Sequence, residues 1–350
     1  MKARGAAIQG GLAAVALVAA YFGWQREPTR APDEVIALEA RPSEVQSVRF
    51  DDGKKWVVLD RREDSVWITH GTHPPPATPV VTSTDGGTPD GGASLPDART
   101  LVPDAGTPAK VAAVPVTREV RGNETAEKLL ERFAPLRANR ALGKLETDKL
   151  RELGLTASPR FLDVTLRSGT QRFHVSAVSP SGGAPYVQSE KNGQVYLVSA
   201  TLISDLDAAS TRLVDRRFHV FKQPDYDQVL LRAGDKERLF LQTGSPPDLK
   251  VSAQATPATA DEFAKNWLDK VYRLVPTELL GKGEAPTAGE PKVEARLEYR
   301  KDGKPLGHAE LARGADNLLY LRTEHSAGWV RVQLGAKEVL DDAVRLAGSR

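Results

Sequence analysis

Val164–Leu213 reads VTLRSGTQRFHVSAVSPSGGAPYVQSEKNGQVYLVSATLISDLDAASTRL. Apolar and polar residues alternate from Phe161, Val164 and Leu166 into Gln171–Val178, across the turn Ser168-Gly169-Thr170. The alternation returns over Pro185–Glu190 and Val195–Ser199. Period two marks strands with one buried face. Leu202, Leu206 and Leu213 then fall at helical spacings. The stretch therefore predicts an antiparallel meander closed by a helix.

The same arrangement recurs downstream. Gly169 and Gly303 lie 134 residues apart (303 − 169), and so do His174 with His308 and Tyr186 with Tyr320. Thr125-Ala126-Glu127 and Thr259-Ala260-Asp261 share that offset, Gly193 with Gly328 differs by one, and Leu213 with Leu346 by minus one. Four matches at one offset and two more within one residue of it predict a duplication, and a long internal period defines the unit that folds. Each unit is expected to open with a hairpin, at Val45 to Leu59 and at Tyr226 to Leu241. Here the offset is 181 (234 − 53, between Gly53 and Gly234), which places an insertion inside the first unit.

Residues 71–118 are that insertion. Pro74-Pro75-Pro76, Asp85-Gly86-Gly87 and Asp90-Gly91-Gly92 leave few apolar residues to bury, so disorder is expected there. A flexible linker of that length spans roughly 35–40 Å. The Asp-Gly-Gly repeats lack the strict period of a calcium-binding solenoid. His70 and His73 beside them read as surface histidines rather than metal ligands.

The chain opens with Lys2 and Arg4 before an apolar run from Ala6 to Trp24. Nineteen residues of helix cover roughly 28 Å, about the hydrocarbon core of a bilayer. Tyr21, Phe22 and Trp24 fit an interfacial belt. Residues 1–30 are read as a retained single-pass anchor, with a cleaved signal peptide ending near Val18-Ala19-Ala20 as the rival. Either places the bulk of the chain on the extracytoplasmic side of a membrane. No cysteine is present, so the exported part must be held by its core. With 48 basic against 46 acidic residues and no basic run, nucleic acid is not expected as a partner.

Thr125 to Leu142 carries Ala126, Leu129, Leu130, Phe133 and Leu136 at helical period, and Phe263, Trp267, Leu268, Val271 and Leu274 repeat this after Thr259. Both are expected to be core helices capped at the threonine.

The residues that carry chemistry are sparse. Gly-x-Ser-x-Gly, Gly-Lys-Ser/Thr, Gly-x-Gly-x-x-Gly and His-Glu-x-x-His patterns do not occur, and a cysteine nucleophile is impossible. No catalytic, cofactor-binding or metal site is expected. His174 and His308 form a repeated pair on strands, and Asp215-Arg216-Arg217 follows the last helix of the first unit. Arginines there can satisfy terminal carbonyls and the helix dipole, or dock a partner. Asp215, Arg216, Arg217, His174 and His308 are thus the partner-contact candidates. Trp267, Trp329, Tyr186 and Tyr320 are the aromatics a binding cleft between the repeats would use, although core packing suits each.

Leu153-Gly154-Leu155, the Pro-led strand after it, Leu166-Arg167-Ser168-Gly169, Tyr186-Val187, Val195-Tyr196-Leu197-Val198 and Leu213-Val214-Asp215-Arg216-Arg217 resemble a large bacterial family of unknown function. The resemblance is strongest over 150–220 and extends across most of 35–350. It implies one membrane helix, repeated β-rich modules and genes beside gliding-motility-type ABC transporters.

The expected fold is α+β: mostly antiparallel β-meanders with packed amphipathic helices, in two tandem related modules after one transmembrane helix. The expected boundaries are 1–30 (anchor), 35–70 (opening strands), 71–118 (insertion), 119–220 (remainder of module 1) and 221–350 (module 2). The expected function is a non-enzymatic envelope scaffold or accessory subunit. The alternative is a binding module for a glycan, lipid or peptide.

Overall fold

A computed structural model describes residues 34–63, 65–74, 117–177 and 183–349. The expected anchor and nearly all of the expected insertion lie outside the described residues. Among those described, no helix is long and apolar enough to cross a membrane.

The first half comprises β1 (Val35–Leu38), β2 (Val45–Asp51), β3 (Lys55–Arg62), β4 (Ser65–Thr72), β5 (Arg118–Arg121), α1 (Glu124–Glu131), β6 (Leu136–Ala138), β7 (Arg140–Lys144), α2 (Thr147–Glu152), β8 (Phe161–Leu166), β9 (Gly169–Val175), β10 (Tyr186–Ser189), β11 (Gln194–Leu197), α3 (Ala200–Asp207) and α4 (Ala209–Arg212). The second half comprises β12 (Gln228–Ala233), β13 (Lys236–Thr243), β14 (Lys250–Ala253), α5 (Glu262–Tyr272), β15 (Pro276–Leu279), β16 (Lys292–Lys301), β17 (Lys304–Arg313), β18 (Leu318–Thr323), β19 (Val330–Gly335) and α6 (Ala336–Gly348). The chain is β-rich, with three antiparallel sheets and six helices among the described residues.

β1 pairs with β6. The larger sheets have the orders β5-β4-β3-β2-β8-β9-β10-β11-β7 and β14-β13-β12-β16-β17-β18-β19-β15. Apart from β5, the two orders follow one plan. A three-strand meander runs outward to an edge, and the next four strands run the other way. An earlier strand then closes the far edge. A helix after the last strand completes each half.

The chain divides into two compact units. One holds Met1–Phe50, Leu59–Val66 and Gly122–Leu213; the other holds Asp51–Val58, Trp67–Arg121 and Val214–Arg350. In the first, inward positions such as Leu162, Val164, Phe173, Val175, Val187 and Val195 are buried. Leu166 and Gly169 close the β8–β9 hairpin, and Gly169 has φ +129, a region that favours glycine. In the second, α5 and α6 pack on one sheet face. Trp267 Nε1 donates to the Val339 carbonyl at 3.0 Å, joining the two helices inside the apolar core.

Three local expectations need correction. The helix expected over Thr125 to Leu142 ends at Glu131. Pro135 has no N–H to give and disfavours helix at the residue before it. Leu136 and Ala138 are both buried as alternate residues of β6, and Arg140–Lys144 becomes an edge strand beside β11. The caps are Asn123 and Asp261, whose side chains accept the N–H groups of Ala126 and Ala264 at 3.1 and 2.9 Å, rather than the threonines. The helix through Leu213 is broken into α3 and α4 at Ala208, and α4 ends at Arg212 with Leu213 as its cap, so Asp215-Arg216-Arg217 begins two residues past that cap.

The histidine register also shifts. Counting rungs from each two-residue loop, His174 opposes Phe161 on the sixth rung of β8–β9, whereas His308 opposes Glu298 on the fourth of β16–β17. An irregularity between Tyr299 and Arg300 consumes one residue of β17. The two histidines therefore occupy related strands at different ladder positions.

Candidate functional site

Asp215 sits in the connection from α4 to β12. Its backbone N–H donates to the Arg121 carbonyl at 2.9 Å, extending the edge of β5. Its side chain is only 4% exposed. The carboxylate accepts from Arg217 N (3.0 Å), Nε (3.1 Å) and Nη2 (2.7 Å), and meets His325 Nε2 at 2.9 Å. Burial on its own would push this carboxyl up. The bonds from His325 and Arg217 outweigh burial and hold it well below the usual carboxylate range. An ionised carboxylate only accepts, so His325 carries its proton on Nε2.

A second histidine–carboxylate pair lies beside the first. His219, with its side chain 4% exposed, places Nδ1 2.9 Å from Glu324 Oε1. Its ring stacks against Tyr272 (centroids 5.9 Å, 13° between planes) and meets Tyr299 edge-on at 5.0 Å. Burial again opposes ionisation of Glu324, but the His219 bond and charge and the His308 backbone N–H at 2.9 Å pull its pKa down. Two further bonds close the seam: Thr323 Oγ1 donates to the Phe218 carbonyl (2.6 Å) and Tyr272 Oη to the Phe221 carbonyl (2.9 Å). The segment Val214–Phe221 is thereby fastened to Thr323–Ser326 by two adjacent charge-assisted contacts.

The chemistry of this cluster is that of a clamp. In a catalytic triad, the carboxylate-bound histidine faces a hydroxyl with its other nitrogen. Here the neighbouring hydroxyls are used otherwise: Thr323 holds Phe218, and Ser326 Oγ donates to the Thr323 carbonyl at 3.2 Å. The cavity between Val120, Asp215, Leu280 and His325 is about 10 Å³, room for one water.

The structure brings Asp215 and Arg217 together and leaves Arg216 exposed. His308 is exposed and joins the cluster through its backbone N–H alone, while His174 is half-buried in the other unit. The aromatics expected for a binding cleft are mostly packed. Trp267 is in the core, Trp329 donates to Glu290 at 2.6 Å beneath Arg322, and Tyr320 Oη donates to Asp316 at 2.9 Å. Tyr186 lines a cleft in the first unit.

Sequence reasoning missed His219, Glu324 and His325. It sought histidines that recur with the repeat, and these do not. It also passed over Arg118, which binds Glu278 and Glu284 at 3.0 and 2.9 Å while Lys282 N donates to the Glu119 carbonyl at 3.0 Å. His73 is more than a surface histidine: its Nε2 reaches both oxygens of buried Asp51, at 3.0 and 2.9 Å. His70 is half-buried, and burial followed by the Arg118 charge lowers its pKa. Among the described residues, no group of three or more His, Asp or Glu is placed to hold a metal.

Residues 119–291 match the model of a family described as a domain of unknown function, DUF4340. No curated protein and no solved structure matches the chain.

Proposed function

We propose that the chain is a non-enzymatic envelope protein, held in a bacterial inner membrane by one N-terminal helix with its bulk on the periplasmic side. Its two β-rich modules, related by duplication, act as a scaffold or accessory subunit of an ABC-transporter or motility-type complex. The observation that carries this reading is the single strand plan followed by both large sheets. Duplicated open sheets supply extended faces for protein partners, and strand edges accept extended peptides. The buried acids and histidines of the second unit support it further, because they are engaged in fastening Val214–Phe221. The match of residues 119–291 to a domain of unknown function is in keeping with the resemblance to a family of unknown function.

Affinity capture of the full chain from solubilised membranes tests it. Transporter or other envelope subunits should be recovered with the protein. Recovery of the protein alone would refute the scaffold reading.

A further inference from the structure

The first unit contains a cleft of about 420 Å³, within the size range of small-molecule sites. It is walled by the end of α2 (Glu152), one face of α3 (Ile203, Asp207), the residue before β8 (Arg160), the residue after β9 (Ser176) and the start of β10 (Tyr186).

Arg160 is the unusual member. Its side chain is 8% exposed. Nη1 donates to the Ser176 carbonyl at 2.8 Å, Nη2 lies 3.5 Å from Asp207 Oδ2, the guanidinium lies over the Phe50 ring at 5.3 Å, and buried Nε has no hydrogen-bond partner among the described residues. The repeat shows what an ordinary residue does at this position. Arg160 O accepts from Val175 N, which puts Arg160 on the seventh rung from the β8–β9 loop. The seventh rung of β16–β17 pairs Ala295 with Leu311, and Ala295 is 2% exposed in the apolar core. A buried guanidinium thus stands where the second half of the chain buries a methyl group. Burying an incompletely bonded charge costs stability, and a sequence that breaks its own packing rule does so characteristically at a functional site.

We infer that this cleft is a binding site for a neutral, hydroxyl-rich ligand, a mono- or disaccharide, anchored on Arg160 and Asp207. Inside the cleft Arg160 faces Asp207, while the exposed Glu152 at its rim is paired at 2.7 Å with Lys149, which lies outside the lining. A strongly charged ligand would leave one sign unmatched. Guanidinium and carboxylate groups are planar and bidentate, so together they donate to and accept from adjacent hydroxyls. Ile203 and the Tyr186 ring give the apolar surface that the C–H face of a pyranose covers. This inference is independent of the scaffold reading, because the cleft belongs to one unit.

The test is isothermal titration of the full chain, purified in a detergent without a sugar headgroup, against glucose, N-acetylglucosamine, maltose, cellobiose and trehalose. Inorganic phosphate and a lysine-containing dipeptide serve as charged comparators. At least one sugar should bind saturably with one site per chain, and Asp207→Asn should weaken it by about tenfold, the loss of one hydrogen bond to a charged group. Arg160→Ala, which copies the second half, should abolish binding. If that variant does not fold, Asp207→Asn and Tyr186→Ala carry the test. Binding of phosphate or the dipeptide alone, no sugar bound, or sugar binding unchanged in the variants would overturn the assignment.

Discussion

Replacing Asp215 by alanine removes the one side chain that both His325 and Arg217 address. Arg217 is 64% exposed and rehydrates, so its side-chain contacts contribute little. His325 is 12% exposed, and its Nε2 proton, together with the Arg217 backbone N–H, would lose an acceptor inside the protein. At about 1–3 kcal/mol for each buried donor left unpaired, the variant should be less stable by about 3 kcal/mol. At about 2–4 °C per kcal/mol, the melting temperature should fall by about 6–12 °C. Asp215→Asn keeps an acceptor oxygen and should lose less. The pH dependence has a definite sign. The folded pKa of Asp215 is depressed below its ordinary 3.8, so its contribution is fully present above that value, shrinks below it and is lost only as pH falls through the depressed folded pKa. Thermal melts between pH 7 and 3 should therefore show a gap between wild type and Asp215→Asn that is constant above about pH 5 and begins to narrow toward pH 3. A loss under about 1 kcal/mol for the alanine variant, or a gap that widens with acid, would refute the clamp.

Two further outcomes follow from packing. A Cβ added at Gly328 would stand 2.9 Å from the Leu280 carbonyl oxygen, so Gly328→Ala should cost about 1–3 kcal/mol in chemical denaturation. Burial pushes the phenols of Tyr226, Tyr272 and Tyr299 up, and burial with the Asp316 hydrogen bond pushes Tyr320 up to about 12. Phenolate absorbance of the native protein at pH 10.5 should thus report fewer than half of the seven tyrosines ionised, with the rest appearing on denaturation.

Much of this fold was legible because its signals are local. The alternation through Val164 and Leu166 and the glycine turns declared β8 and β9, although Leu162 rather than Phe161 takes the buried position, and the apolar faces around Leu129 and Trp267 declared α1 and α5. The end of α1 was not legible from period alone, since Leu136 continues the helical spacing while Pro135 and pairing with β1 decide the outcome. The clamp was half legible. Asp215-Arg217 is a contact two residues apart, but His325 comes to it from 110 residues away and His219 meets Glu324 across 105. Such pairs exist only after the sheet has folded, and neither histidine recurs in the repeat. Arg160 was hidden for the opposite reason: a charged residue before a strand reads as surface, whereas the folded chain buries it on the rung that Ala295 holds in the second half.

The most direct measurement of the scaffold claim is site-specific photo-crosslinking in living cells. A photoreactive residue is placed at exposed Arg216 or His308, and at exposed Arg151 on α2 as a control. The account predicts covalent adducts with a transporter or other envelope subunit from Arg216 or His308, and none from Arg151. It is contradicted if neither position yields an adduct while the protein is present at normal level in the membrane.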